Sequence, residues 1–213
     1  FRAYCFFRLS QVYSKRWSDS NNGASRGVVL RLDESTGDMA VSTLAETYAR
    51  IYQDLDDALA LYAESKLNRD EDENYSVNAD VAHAIYARAA LTREDWAVAA
   101  SHAASARANY TLMNNAQYVN GGFNAPNKEW IWSVYSNAQE TLYFYQFFAN
   151  QGSNSNAALA RNYPCAISKE LYDSIPTTDV RRAMFLNPDT MTFNTSSGLA
   201  GKWMTAYAKR AYK

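Results

Sequence analysis

Apolar residues recur every three to four positions at the start of the chain. There Ala3, Tyr4, Phe7, Leu9 and Val12 are separated by Arg2, Arg8, Lys15 and Arg16, and this spacing predicts an amphipathic helix near 1–17. The polar run Ser18-Asp19-Ser20-Asn21-Asn22-Gly23 breaks the pattern into a loop. Val28-Val29-Leu30 reads as a short extended piece ahead of a second loop around Gly37. Thr43-Leu44-Ala45-Glu46 puts a hydroxyl at a helix start and a carboxylate three residues on, the capping-box pattern. The helix it opens, near 43–64, carries Leu44, Tyr48, Ile51, Tyr52, Leu55, Ala58, Leu59 and Tyr62 on one face. Asp54, Asp56 and Asp57 lie on this helix and read as a solvated face rather than as paired catalytic acids.

The stretch Val77–Tyr110 is the most informative. Ala79, Ala82, Ile85, Tyr86 and Ala89 line one predicted helix, near 78–91, and Trp96, Ala99, Ala103 and Ala106 line a second, near 93–109. Thr92-Arg93-Glu94-Asp95 turns the chain between them and caps the second. Small residues at the contact positions allow two antiparallel helices to approach closely. The unit spans 34 residues, the length of a tetratricopeptide repeat. A generic pair of helices is the other reading, with His83 and His102 as fillers of core or surface.

Beyond Tyr110 the periodicity changes. Asn114-Asn115, Asn120-Gly121-Gly122 and Asn124-Ala125-Pro126-Asn127 make a loop, and Glu129 to Tyr135 alternates as a short strand would. The aromatic run Thr141 to Phe148, flanked by Asn, Gln and Ser, fits either core or the rim of a binding pocket. Ser168-Lys169-Glu170-Leu171-Tyr172 begins another helix, stopped near Pro176, and Thr178-Asp179-Val180-Arg181-Arg182 begins one more. The predicted fold class is mainly α, with tetratricopeptide-like helix pairs (an α–α superhelix), long aromatic-rich loops and a short strand.

Composition narrows the chemistry. Aromatic residues make up 14% of the chain, which argues against disorder, and 8 Gly with 4 Pro are too few for an all-β protein of many tight turns. A net charge of −1 without a basic block argues against nucleic-acid binding. No apolar run reaches the ~18 residues of a membrane span. Cys5 and Cys165 read as two buried thiols, with a disulfide as the alternative, and the two histidines do not form a zinc-type pair. Asn68 to Asn74 has oxygen ligands at alternate positions, as in a calcium loop. Glu73 and Ala79 stand where such a loop needs a glycine and a bidentate glutamate, so it reads as a solvated acidic loop. The Asn-x-Ser/Thr patterns at Asn74, Asn109 and Asn194 carry no weight without a secretory context. No phosphate-binding, nucleophile-elbow or zinc-protease motif is present, so the reading includes no catalytic residue, cofactor or metal. The positive signal is rings beside amides and hydroxyls, the groups that meet the apolar face and hydroxyl rim of a sugar.

Five segments in order resemble the SusD/RagB family. They are Phe1-Arg2-Ala3-Tyr4-Cys5-Phe6-Phe7-Arg8-Leu9, Thr47 to Ala58, Ala87-Arg88-Ala89-Ala90-Leu91 through Trp96-Ala97-Val98-Ala99-Ala100, Glu129 to Val134, and Ile167 to Asp173 followed by Asp179-Val180-Arg181-Arg182. The first lacks one residue that the family usually has between Phe and Arg. The resemblance implies one SusD-like helical domain over 1–213, incomplete, with its tetratricopeptide-like unit at about 77–110. It implies a lipoprotein of the outer-membrane surface of Bacteroidetes-type bacteria, held by an upstream lipid anchor. Such a protein captures oligo- or polysaccharide without cleaving it and passes it to a SusC-type TonB-dependent porin. A leader and the family's C-terminal helical segment would lie outside this sequence. The rival readings are a tetratricopeptide-like scaffold for a protein partner and a hydrolase whose site is assembled from scattered residues.

By the same resemblance, the sugar site would draw on the loop after the first helix and a later loop beyond the Glu129 segment. The first offers Trp17 and Asn22; the second offers Tyr143 and Tyr145, which face one way in an extended segment, with Gln146 as a hydroxyl partner. The alternative is that these rings pack inward beneath the loops.

Overall fold

A computed structural model of the chain describes residues 1–70, 73–120, 126–134, 167–185 and 187. They fall into two compact units, Phe1–Thr111 with Trp130–Ser133, and Leu112–Glu129 with the described residues from Val134 onward. The first unit holds α1 (Arg2–Tyr13), α2 (Leu44–Ser65), α3 (Ala79–Thr92) and α4 (Trp96–Arg107), each packed on the next. The second holds α5 (Asn115–Val119), α6 (Lys169–Ser174) and a 3-10 turn at Val180–Met184 that packs on α5. The fold is mainly α, as the periodicity predicts.

The capping box forms at the head of α2. Thr43 Oγ1 accepts from the Glu46 N–H at 3.2 Å, and Glu46 Oε2 accepts from the Thr43 N–H at 2.8 Å. Leu44, Tyr48, Ile51 and Leu55 then face a core completed by Ala3, Phe6 and Phe7 of α1, Val28, and Ala82, Tyr86 and Ala89 of α3. Each large apolar side chain removed from water here contributes about 1.5–3 kcal/mol.

The first helix is shorter than expected. At Ser14 the backbone turns extended, and the chain re-enters a 3-10 turn only at Trp17–Asp19. Its buried stripe is Ala3, Phe6, Phe7 and Ser10, the i, i+3, i+4, i+7 set of one helical face. Leu9 and Val12, expected inside, fall off that stripe and are exposed, and so is Cys5, whose thiol was expected to be buried.

The α3–α4 pair is antiparallel, since His83 meets His102 and Asp80 meets Asn109. Buried Ala89, Ala90, Ala99 and Ala106 permit the close approach. The turn closes through hydrogen bonds from Arg93 N–H to the Ala89 carbonyl and Asp95 N–H to the Ala90 carbonyl, with Glu94 left-handed at φ 65°. Asp95 occupies the cap position of α4 without a side-chain cap bond. Trp96 and Ala103, expected on the inner face, are exposed, because the stripe facing α3 runs through Ala99, His102 and Ala106.

The expected strand at Glu129–Tyr135 does not form over its described part. Residues Trp130–Ser133 find partners in a loop instead of a sheet. Ser133 N–H donates to the Asn74 carbonyl at 2.9 Å, Asn74 Nδ2 to the Trp130 carbonyl at 2.8 Å, and Trp132 Nε1 to the Tyr75 carbonyl at 3.2 Å. The guanidinium of Arg69 donates to the carbonyls of Asn74, Ser76 and Ile131 and to the Tyr110 hydroxyl. A fixed side-chain cation thus gathers the oxygen-rich loop. Among the described residues the backbone pairs as a β-bridge only between Arg26 and Thr43.

Candidate functional site

The loop leading from α1 to α2 is built by a chain of small requirements. Ser20 is buried; its hydroxyl donates to the Trp17 carbonyl at 2.6 Å and accepts from the Gly23 N–H at 2.8 Å. Asn21, Asn22 and Gly23 are consecutively left-handed, at φ 52°, 54° and 82°. Each of the two asparagines carries a cost of about 1–2 kcal/mol for that conformation, lessened by its short polar side chain. What holds the turn is the head of α2: its Ala45 and Leu44 N–H groups, unsatisfied within the helix, donate to the carbonyls of Gly23 at 2.9 Å and Ser25 at 2.8 Å. Gly23 leaves no room for a side chain, since a Cβ there would lie 2.7 Å from both Ala45 Cβ and Trp17 Cη2.

Trp17 is half-buried on the core, T-shaped against Tyr48 with ring centroids 5.6 Å apart. The Arg93 guanidinium lies over the Trp17 ring at 4.9 Å and over the Tyr52 ring at 5.0 Å. Tyr52 leans on Tyr86 at 4.7 Å, and Tyr86 stacks on His102 at 3.9 Å. A continuous ladder of rings and one guanidinium therefore runs from the loop across α2 and α3 to α4. Burial raises the phenol pKa values of Tyr48, Tyr52 and Tyr86, so these rings are neutral supports.

The structure places Trp17 and Asn22 on one loop. The indole is anchored by Tyr48 and Arg93, and Asn22 is exposed. Tyr143, Tyr145 and Gln146 lie outside the described residues. Arg93 and Tyr48, which fix the indole, were not linked to it in the sequence, because nothing local in Thr92-Arg93-Glu94-Asp95 or on the face of α2 signals a contact with residue 17. Among the described residues no group of three or more His, Cys, Asp or Glu side chains is arranged to hold a metal. The loop carries a half-buried indole and the exposed amides of Asn21 and Asn22. That combination suits a ligand with both an apolar face and hydroxyls.

No family model and no curated protein matches the sequence. Solved structures do match in fold. A SusD superfamily protein from Bacteroides thetaiotaomicron superposes with a TM-score of 0.67 at 20% identity, over 93% of this chain and 43% of that one. A SusD-like carbohydrate binding protein from Bacteroides vulgatus gives 0.70 at 22% identity, over 86% of this chain and 38% of that one. A SusD superfamily protein from the same organism gives 0.56 at 23% identity, over 68% and 35%. The chain spans less than half the length of each of these structures, and over that span it shares the fold of the SusD superfamily.

Proposed function

We propose that this chain belongs to a cell-surface protein that captures oligo- or polysaccharide without cleaving it and passes it to a SusC-type TonB-dependent outer-membrane transporter. The observation that carries the reading is the fold shared with a carbohydrate binding protein over 86% of this chain. The Trp17–Asn22 loop supports it, with a ring fixed in advance so that little freedom is lost when a sugar stacks on it. Tyr143, Tyr145 and Gln146 complete the site in this proposal. The protein is held at the outer-membrane surface by a lipid anchor upstream of this sequence; no described helix is long and apolar enough to cross a membrane.

A scaffold for a protein partner is the second reading, favoured by the exposed Leu91 and Trp96 at the α3–α4 turn. Affinity electrophoresis through gels containing single polysaccharides, with the gels assayed for released sugars, separates these readings. Retardation by at least one glycan without product supports the proposal. Retardation with product indicates a hydrolase, and no retardation across the panel leaves the scaffold.

A further inference from the structure

The two histidines of the chain, separated by a whole turn in sequence, meet ring to ring. His83 Nδ1 and His102 Nδ1 are 2.8 Å apart, with ring centroids at 5.0 Å and planes tilted by 41°. A contact of that length between two ring nitrogens holds one hydrogen, donated by one ring and accepted by the lone pair of the other. The proton count follows. With both rings neutral, the donor carries its hydrogen on Nδ1 and the acceptor on Nε2, which leaves the donor's Nε2 free. A first added proton binds there and leaves the contact in place, now strengthened by charge. The only ring nitrogen then still unprotonated is the accepting Nδ1, so a second proton removes the acceptor and sets two N–H groups against each other.

We infer that His83 and His102 form a proton-operated latch between α3 and α4, closed with up to one added proton and opened by the second.

The surroundings assign the acceptor. His102 is stacked on Tyr86 of α3, and its affinity for a proton is lowered, first by burial and then by the neighbouring charge of His83. From α2, Asp56 acts in the opposite direction on His102, and Tyr52 stands behind Tyr86. Asp95, at the head of α4, acts on Tyr86, as Asp56 does, while Arg93 is paired with Asp95 at 3.9 Å. Burial and the neighbouring ring thus act against a charge on His102, which suits that ring to the part of neutral acceptor. At 2.8 Å the two nitrogens stand at hydrogen-bond distance, the separation at which two rings share a proton. The latch sits at the far end of the ring ladder from Trp17, so its opening loosens the support of Tyr86 and Tyr52.

With 2 histidines in the chain, side-chain proton–nitrogen correlation spectra of the intact protein contain four ring nitrogens to follow. Titrated from pH 8 to 5, they should show two separated steps shared by both rings, the second arriving with new shifts for α3 and α4 amides. In parallel, the melting temperature of the wild type should fall between pH 7 and 5 by more than that of His83→Phe, which keeps a ring but holds no proton. Independent titration of both histidines in a single step near ~6.5 overturns the inference. Equal losses of melting temperature in wild type and variant overturn it as well. Should His83→Phe fail to fold, the wild-type titration decides alone.

Discussion

The guanidinium of Arg2 grips the carboxylate of Asp54 through two parallel hydrogen bonds, Nε–H to Oδ2 at 2.8 Å and Nη2–H to Oδ1 at 2.7 Å. Arg50, one turn earlier on α2, donates to the same Oδ1. The pair ties the first turn of α1 to the middle of α2. Asp54 is thus no part of a solvated face: its side chain is 6% exposed, whereas Asp56 and Asp57 stand in water.

Burial pushes the Asp54 carboxyl up, but the hydrogen bonds from Arg2 and Arg50 outweigh it and hold the pKa below the usual range. The folded state therefore binds this proton less well than the unfolded chain, so the group's contribution rises with pH. It is complete above the unfolded value of ~3.9 and is lost as pH falls through the folded value. Urea unfolding of Asp54→Asn near pH 7 should show a loss of about 1–3 kcal/mol. The gap to wild type should close as pH falls from 5 to 3; a gap constant across that range would contradict the ion-pair account.

Gly23 and Asn22 make a second pair of opposite outcomes. Gly23→Ala places a methyl group against Ala45 and Trp17 at a φ of 82° and should cost about 1–3 kcal/mol. Asn22→Gly relieves a left-handed asparagine at φ 54° and should leave stability unchanged or raise it by up to about 1 kcal/mol. Thermal melts that rank the two the other way would show that the loop geometry is not as described.

Arg69 joins residues far apart in sequence through hydrogen bonds to Ser76, Tyr110 and Ile131. Arg69→Ala should free the Ser133 amide, which is bonded to the Asn74 carbonyl, and raise its hydrogen-exchange rate well above that of the α2 core. Arg69→Lys should not restore protection, because an ammonium cannot span the forked set of acceptors. Unchanged exchange at Ser133 in Arg69→Ala would show that other contacts hold the segment.

What was legible in the sequence was local. Thr43 and Glu46 mark the head of α2 because both partners of the cap lie within one turn, and the alanine spacing marks the inner face of α4 in part, at Ala99 and Ala106 but not at Trp96 and Ala103. What was not legible depends on where distant elements cross. The alternation of Glu129–Tyr135 is the same whether the partner is a strand or the side chains of Arg69 and Asn74. Asp54 looks like Asp56 and Asp57 until Arg2 is brought over it. The His83–His102 contact follows from the register of two antiparallel helices, which no spacing along either helix records. On the candidate site, the sequence picked out Trp17 as a ring on a polar loop, but its anchoring by Tyr48 and Arg93 needed the tertiary structure.

That anchoring changes how the glycan proposal is best tested. Trp17→Ala should lower the melting temperature as well as any affinity, since the ring supports the core cluster. Asn22→Ala removes an exposed amide and Tyr145→Ala a ring of the second proposed loop. Isothermal calorimetry with a polysaccharide that retards the wild type in gels is therefore the most direct measurement. The account predicts that Asn22→Ala and Tyr145→Ala each weaken binding by about five- to thirty-fold, equivalent to roughly 1–2 kcal/mol, while the stability of Asn22→Ala falls only by the ~1–2 kcal/mol that an alanine costs at a left-handed φ of 54°. Wild-type affinity in both variants would contradict the placement of the site, and no heat of binding with any glycan would contradict the proposed function itself.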